Sequence, residues 1–263
     1  MFVRFPLPGA SAKMLYAENK GKRGMMSSSP DIRLLDNPIF HRFIKKYGEV
    51  TSLNDLGFSA RRYMAHTSIA RQGEREDRVF IVHSGWGCLY KDLPDGERQI
   101  IDFTLIGDAV SLQSTEAEAQ SSFTSITDLA VFEARAASVL AAIGRTPPLA
   151  ETLLAASARQ RRILVEHMTN LGRRTALVRT AHLLLELWTR LEAAGMADSS
   201  GYDCPLTQYD LADALGLTAI HVNRMLRELR EHGFLSIRKG RVEFIEIESV
   251  IEFADFDKTI YQN

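Results

Sequence analysis

The stretch LTQYDLADALGLTAIHVNRMLRELREHG, residues 206–233, decides the fold. Thr207 starts a helix well, because its hydroxyl can accept from the exposed amides of the first turn. Asp210 stands at the third helical position, where its carboxylate completes a capping box. Leu206 and Leu211 are spaced to form a hydrophobic staple across that cap. The helix runs through QYDLADALG and stops at Gly216. Thr218 is a second cap, and Leu217 and Val222 repeat the staple. Two capped helices joined by a short turn containing glycine are the helix-turn-helix signature.

The second helix divides into two faces. Val222, Met225, Leu226 and Leu229 form an apolar stripe that packs on the first helix. Ala219, Ile220, His221, Asn223, Arg224 and Arg227 are left for the other side. A helix-turn-helix places the N-terminal part of its second helix in the DNA major groove. Asn223 suits adenine and Arg224 suits guanine, each bidentately, while Ile220 suits a thymine methyl. His221 reaches a base edge or a phosphate, and Thr218 assists from the cap. Arg227 and Arg230 lie further along, as phosphate contacts or solvated charges. Next comes FLSIRKGRVEFIEI, residues 234–247, two alternating runs around Lys239-Gly240. It reads as a hairpin wing with Arg238, Lys239 and Arg241 at its tip. Between Pro205 and Arg241 there are six Lys and Arg against four Asp and Glu. The bases cluster where phosphates would lie, and phosphate neutralisation supplies much of the affinity for DNA. Helix-turn-helix shapes also serve as plain packing units. The two caps, two staples and basic wing together favour DNA.

Upstream, the period changes twice. Residues 1–30 are rich in Gly, Ser, Pro and Lys and read as a disordered arm. From Asp31 to about Phe58 the pattern is helical. From Arg61 to Arg135 short apolar runs (VFIVHSGWGCLY, IIDFTLIGD, LAVFEA) are broken by turns such as Pro94-Asp95-Gly96. That predicts an antiparallel barrel or sandwich. Pro147 and Pro148 then open a long helix over residues 147–172. Leu153, Ser157, Gln160, Leu164, His167 and Leu171 alternate by four and three, a seam like that of a two-stranded coiled coil. The seam is half apolar. It pairs with a copy of itself or packs on its own domain, and the pattern allows either. TALVRTAHLLLELWTRLEAAG, residues 175–195, is a further helix, and MADSSGYDCP is a loop.

The bulk composition agrees with an ordinary globular protein. The 263 residues suit two domains, with 45% hydrophobic and 25% charged residues. The net charge of −1 means that any nucleic-acid surface is local. Two isolated cysteines, Cys88 and Cys204, suggest a reducing compartment and no disulfide framework. No run approaches a transmembrane helix and no secretory signal is legible, so the expectation is a cytoplasmic protein without a membrane partner. No nucleophile elbow, P-loop or metal-ligand spacing occurs, and Glu166-His167 is not part of an HExxH motif. An enzyme is not expected, and neither catalytic nor metal-binding residues are assigned.

A small β-barrel, a long helix and a winged helix-turn-helix carrying LTQYDLADALGLTAIHVNRMLRELREHGFLSI resemble the Crp/Fnr family of bacterial transcription regulators. GEREDRVFIVHSGWGCLYKDLPDGERQIIDFTLIGD, residues 73–108, is similar to that family's sensor domain. The resemblance spans about residues 31–253. It implies an α+β fold: a jelly-roll sensor domain like those that bind cyclic nucleotides (31–146), a dimerisation helix (147–172) and a winged helix-turn-helix DNA-binding domain (173–263). It also implies a homodimer, a palindromic operator and RNA polymerase as a partner. Under that reading Leu153, Gln160, Leu164, His167 and Leu171 form the dimer interface.

This sequence departs from the family's pattern in two places. Members that bind cyclic nucleotides carry Gly-Glu soon after Gly-Asp, and later Arg-Ser, whose Arg meets the cyclic phosphate. Here Gly107-Asp108 is followed by AVSLQSTEAEAQSSF. Ser111 and Leu112 replace Gly-Glu, Ala119 and Gln120 stand near Arg-Ser, and no Lys or Arg occurs between Arg98 and Arg135. A buried phosphate would lack its charge partner, so cyclic AMP and cyclic GMP are not the expected effectors. Two cysteines cannot hold the four-cysteine iron–sulfur cluster of other members. Haem stays open, although none of the seven histidines sits in a haem motif. The effector is unassigned and no cofactor is expected. In the second helix, Ala219 and Ile220 replace the polar residues common in the family, and Arg224 is retained. An alternative is a small-molecule, redox or haem sensor whose output runs through protein contacts.

Overall fold

The computed structural model describes residues 25–26, 37–41, 54–111 and 118–261. Most of the expected arm, and most of the helix expected over 31–58, lie outside the described residues. Met25–Met26 (β1), expected within a structureless arm, instead pair antiparallel with Arg62 and Tyr63. The outer edge of that sheet offers unpaired backbone donors and acceptors, and these two residues take up the Arg62–Tyr63 end of it.

Among the described residues, nine strands build the N-terminal domain: β1, β2 (Ser59–Tyr63), β3 (Ser68–Ala70), β4 (Arg78–Ser84), β5 (Gly87–Asp92), β6 (Arg98–Thr104), β7 (Ala109–Val110), β8 (Ser122–Ser125) and β9 (Leu129–Arg135). They form two antiparallel sheets, ordered β1-β2-β9-β4-β7 and β3-β8-β5-β6, packed as a jelly roll. The unbroken apolar run of β4 has a simple cause. Phe80 and Val82 point between the sheets, among Ile69, Phe123 and Val131. Val79 and Ile81 point the other way, into a core closed by helices. Both faces are covered, so no polar alternation is left. The Pro94–Gly96 turn joins β5 to β6, with Gly96 at φ +84°.

Helix α1 (Ala136–Arg145) follows β9 directly and covers the first sheet with Val139 and Ala142. The sequence reading had no element there. Helix α2 (Pro148–Arg173) is the long helix, and α3 (Ala176–Ala193) begins at Thr175, whose hydroxyl accepts from the Val178 amide. The C-terminal domain continues with β10 (Gly201–Asp203), α4 (Gln208–Leu215), α5 (Ala219–Glu231), β11 (Leu235–Arg238), β12 (Arg241–Phe244) and α6 (Ile247–Ala254). The loop expected before the last domain contains β10, which adds a third strand to the wing in the order β10-β12-β11. Residues after α6 fold back over α3: Phe256 and Tyr261 stack at 5.1 Å, and Phe256 meets His182 at 4.8 Å between ring centroids. One apolar cluster runs from Cys88, Ile100 and Phe103 of the barrel through α3 to Leu226, Leu229 and Val242 of the winged domain. The two domains therefore share a core.

Candidate nucleic-acid interface

The caps form as their residue types require. Thr207 Oγ1 accepts from the Asp210 amide at 3.2 Å, and Asp210 Oδ2 accepts from the Thr207 amide at 2.9 Å. Gly216 ends α4 in the left-handed region at φ +60°, which only glycine adopts cheaply. Thr218 Oγ1 accepts from the His221 amide at 3.2 Å and starts α5. Val222, Met225, Leu226 and Leu229 are buried against α4 and α3, fixing the roll of α5.

That roll presents Ile220, Asn223, Arg224 and Arg227 to solvent, with Ala219 and His221 half-buried. Ile220 is 83% exposed, an apolar side chain with nothing among the described residues to cover it. Two polar side chains are already oriented. The Arg224 guanidinium Nη2 lies 2.9 Å from His221 Nε2. Asn223 Nδ2 donates to Gln208 Oε1 at 2.6 Å. Gln208 and the half-exposed Tyr209 open α4 beside this face. Sequence reading missed both, although their place in the first turn of the first helix is where such a domain crosses the DNA backbone.

The basic wing is weaker than its composition suggested. Arg238 and Lys239 are exposed at the turn, with Lys239 at φ +51° and Gly240 at +78°. Arg241 is not at their disposal. It pairs with Asp198, with Asp203 at 3.6 Å and with Glu243 at 3.5 Å. The alternation of β12 turns its side chain toward β10 and the loop before it. Arg227 pairs with Glu231 at 3.3 Å on the open surface, where such a pair is weak.

The long helix corrects the expected seam. Leu153 is buried in its own chain's core, and His167 is held by Glu186 and the Ile101 carbonyl. Gln160 is half-buried. Leu164 and Leu171, at 36% and 39% exposure, reach the surface. An open line runs one residue further on, through the apolar Leu154, Ala158, Val165 and Met168 with the charged Arg161 between them, Leu154 and Met168 being 69% and 68% exposed. The barrel and α3 take part of the seam, which the pattern left open to either use and the family resemblance assigned to a partner.

Between the domains lies a charge cluster that periodicity could not reveal. Arg190 of α3 donates to Asp102 Oδ1 at 2.9 Å, Asp108 Oδ2 at 2.6 Å, Glu186 Oε1 at 2.8 Å and the Phe103 carbonyl at 2.7 Å. Arg159 of α2 reaches Asp108 Oδ1 at 2.6 Å. His167 sits between acceptors only, the Ile101 carbonyl at 2.9 Å and the Glu186 carboxylate at 2.8 Å, so both ring nitrogens must donate. Burial opposes its charge, but the Glu186 carboxylate outweighs that and lifts the imidazole to about 9. Glu186 is likewise disfavoured as an anion by burial, yet His167 and Arg190 hold it at about 2. Burial also works against an ionised Asp108, and Arg190 and Arg159 more than compensate, lowering it. Three cations (Arg159, His167, Arg190) thus face three carboxylates (Asp102, Asp108, Glu186). Ligand atoms of Asp102, His167 and Glu186 lie within 4.8 Å of one another, a spacing that suits a metal ion. The Arg190 guanidinium already lies against both of those carboxylates and supplies the positive charge an ion would bring.

His182 shows the opposite state. Arg174 donates to Asn170 Oδ1 at 2.9 Å, which turns the Asn170 amide nitrogen toward His182 Nδ1 at 3.0 Å. That ring nitrogen must accept, and burial, with Arg174 nearby, drops the imidazole to about 3. In the barrel, Ala119 is buried and Gln120 exposed, while residues 112–117 lie outside the described residues. No described helix is long and apolar enough to cross a membrane.

Comparison with known proteins agrees with this architecture. The cyclic nucleotide-binding domain family matches residues 60–146, and the Crp-like helix-turn-helix domain family matches residues 178–252. The nitrogen fixation regulation protein FixK of Azorhizobium caulinodans is 30% identical over 179 residues, covering 68% of this chain and 72% of its own. The transcriptional activator protein FnrL of Cereibacter sphaeroides is 29% identical over 212 residues, 78% of this chain and 85% of that one. The structure of FixK2 from Bradyrhizobium japonicum superposes with a TM-score of 0.67 at 30% identity, over 74% of this chain and 96% of its own.

Proposed function

The chain belongs to the Crp/Fnr family of transcription regulators, and from that membership we propose that it is a homodimeric regulator that reads a palindromic DNA site through the outward face of α5. The observation that carries this reading is the capped helix whose only uncovered side chains are Ile220, Asn223, Arg224 and their polar neighbours. Arg224 reads guanine and Asn223 adenine, Ile220 meets a thymine methyl, and His221 steers Arg224. Thr218 and Ala219 let the helix start approach the backbone. Arg227, Arg238 and Lys239 neutralise phosphates, joined by Gln208 and Tyr209 from α4. Dimerisation uses the open line of α2, with Leu164 and Leu171 on its flank.

The effector pocket is degenerate in this proposal. Asp108 spends its oxygens on the Leu105 amide, Arg159 and Arg190, and no basic residue stands between Arg98 and Arg135 for a cyclic phosphate. The relatives' names describe regulators and activators, which supports contact with RNA polymerase and a cytoplasmic setting. Fluorescence anisotropy on genomic fragments tests the reading. The double variant His221→Ala/Arg224→Ala should lose specific binding by roughly 5- to 150-fold, the worth of one bidentate base contact. Wild-type affinity should fall steeply with salt. Unchanged binding by the double variant overturns the reading.

A further inference from the structure

Asn223, on the outward face of α5, is tied to a second element. Its Nδ2 donates to Gln208 Oε1 of α4 at 2.6 Å. An asparagine that reads a base needs such a tie. Its carbonyl and amide ends are nearly alike in shape, so a free side chain turns over at little cost and exchanges acceptor for donor. Adenine accepts at N7 and donates from N6, and only one of the two senses meets it bidentately. Gln208 Oε1 can only accept, so it selects the sense in which Nδ2 faces α4. One Nδ2 hydrogen and the whole of Oδ1 then remain for a base.

Gln208 is an amide too, and its place in the fold settles its own sense. It is the first residue of α4, directly after the Thr207 cap. It is half-buried, beside Leu211, Leu226 and Ile237 around a cavity of about 20 Å³. The first helix of such a domain crosses the DNA backbone. Phosphate oxygens only accept, so a phosphate there takes the Nε2 hydrogens of Gln208 and leaves Oε1 to Asn223.

We propose that Gln208 is a positioning residue for base reading, coupling the phosphate contact of α4 to the sense in which Asn223 meets its base. This role rests on α5 being the DNA-reading helix and goes beyond a phosphate contact. On the open surface an amide–amide hydrogen bond competes with water and contributes little. Where DNA excludes water the same bond is stronger. Gln208 therefore governs discrimination at one base pair and not affinity alone.

Anisotropy competition by the full chain tests the role. The duplexes carry a half-site that wild type selects from random sequence, changed one base pair at a time. Asn223→Ala locates its base pair as the position where discrimination falls, by roughly 5- to 150-fold. Gln208→Ala should lower discrimination at that same base pair by roughly 2- to 12-fold, the worth of one hydrogen bond, and at no other. Gln208→Glu keeps the acceptor and loses the phosphate donor. Its affinity for every duplex should drop while its discrimination holds. Gln208→Lys keeps a phosphate donor and loses the acceptor, so its discrimination at that base pair should fall as in Gln208→Ala. In an Asn223→Ala background none of the three should alter discrimination, with circular dichroism confirming each fold. If Gln208→Ala weakens all duplexes equally, the coupling is overturned and the DNA-reading role of α5 stands. A loss of discrimination spread over every position, the mark of a misplaced helix, overturns it as well. If Asn223→Ala lowers discrimination nowhere, Asn223 is not a reader and the role of Gln208 falls with it. A wild type that selects no sequence overturns the reading of α5 itself.

Discussion

His167 and His182 lie on either side of one helix junction and are held in opposite charge states by their partners. His167 meets two acceptors and is protonated near neutral pH. His182 accepts from an amide and is neutral. The linkage has a definite sign. The unfolded imidazole titrates near 6.5 and the folded one near 9, so the protonated His167 stabilises the fold in full below about 6.5. That stabilisation fades as pH rises through 9. The melting temperature of wild type should therefore fall more between pH 6.5 and 9.5 than that of His167→Gln. For a chain of this length each kcal/mol lost is worth about 2–4 °C. Parallel pH profiles would show that the pair carries no stability. Neither histidine's state was legible in the sequence, because each depends on a partner 12 to 19 residues or more away and on which atom of that partner faces the ring.

The elements themselves were largely legible. Caps, staples and the glycine stop of α4 are local chemistry, and Thr207, Asp210, Gly216 and Thr218 act as their types require. The wing turn at Lys239-Gly240 is local as well. Helix α1 was missed because AASVLAAIGR follows β9 with neither cap nor break, Arg135 making no side-chain cap. A four-three spacing fits two neighbouring lines of α2, and the chain's own core takes Leu153 and His167 from the line expected to meet a partner. Which line stays open is decided by what the barrel and α3 cover, a long-range fact. Val165→Glu combined with Met168→Glu places charge on the open line without touching the chain's own core. The pair should turn a dimer into a monomer in sedimentation velocity at micromolar concentration, whereas a substitution at the buried Leu153 should lower stability first. A dimer that survives the double change moves the interface elsewhere.

Across the whole chain, barrel and winged domain behave as one packed body. Arg98 of β6 bonds Asp210 at 2.9 Å and Asp213 at 2.5 Å on α4, and Gln99 Nε2 donates to the Ala214 carbonyl at 3.2 Å. Trp86 of the barrel stacks on Tyr202 of β10 at 6.5 Å. Arg98→Ala leaves Asp210 and Asp213 without this partner, at a cost of roughly 1–3 kcal/mol. Calorimetry should then resolve two unfolding transitions where wild type gives one. A single transition at the wild-type temperature would mean the domains are joined by the apolar core alone.

The charge cluster at the junction also dictates where such a chain can be cut and rejoined. The barrel contributes two carboxylates, Asp102 and Asp108, and the long helix contributes two cations, Arg159 and His167. Helix α3 contributes one of each, Glu186 and Arg190. A hybrid spliced before the long helix carries off both acidic groups of the barrel and leaves Arg159 without Asp108. One spliced at Thr175 parts a half that holds Asp102, Asp108, Arg159 and His167 from a half that holds Glu186 and Arg190. Joining at the cap of α3 keeps Arg159 with Asp108 but parts Arg190 from Asp102 and Asp108 and His167 from Glu186, so a hybrid regulator built from this chain has to preserve all six groups.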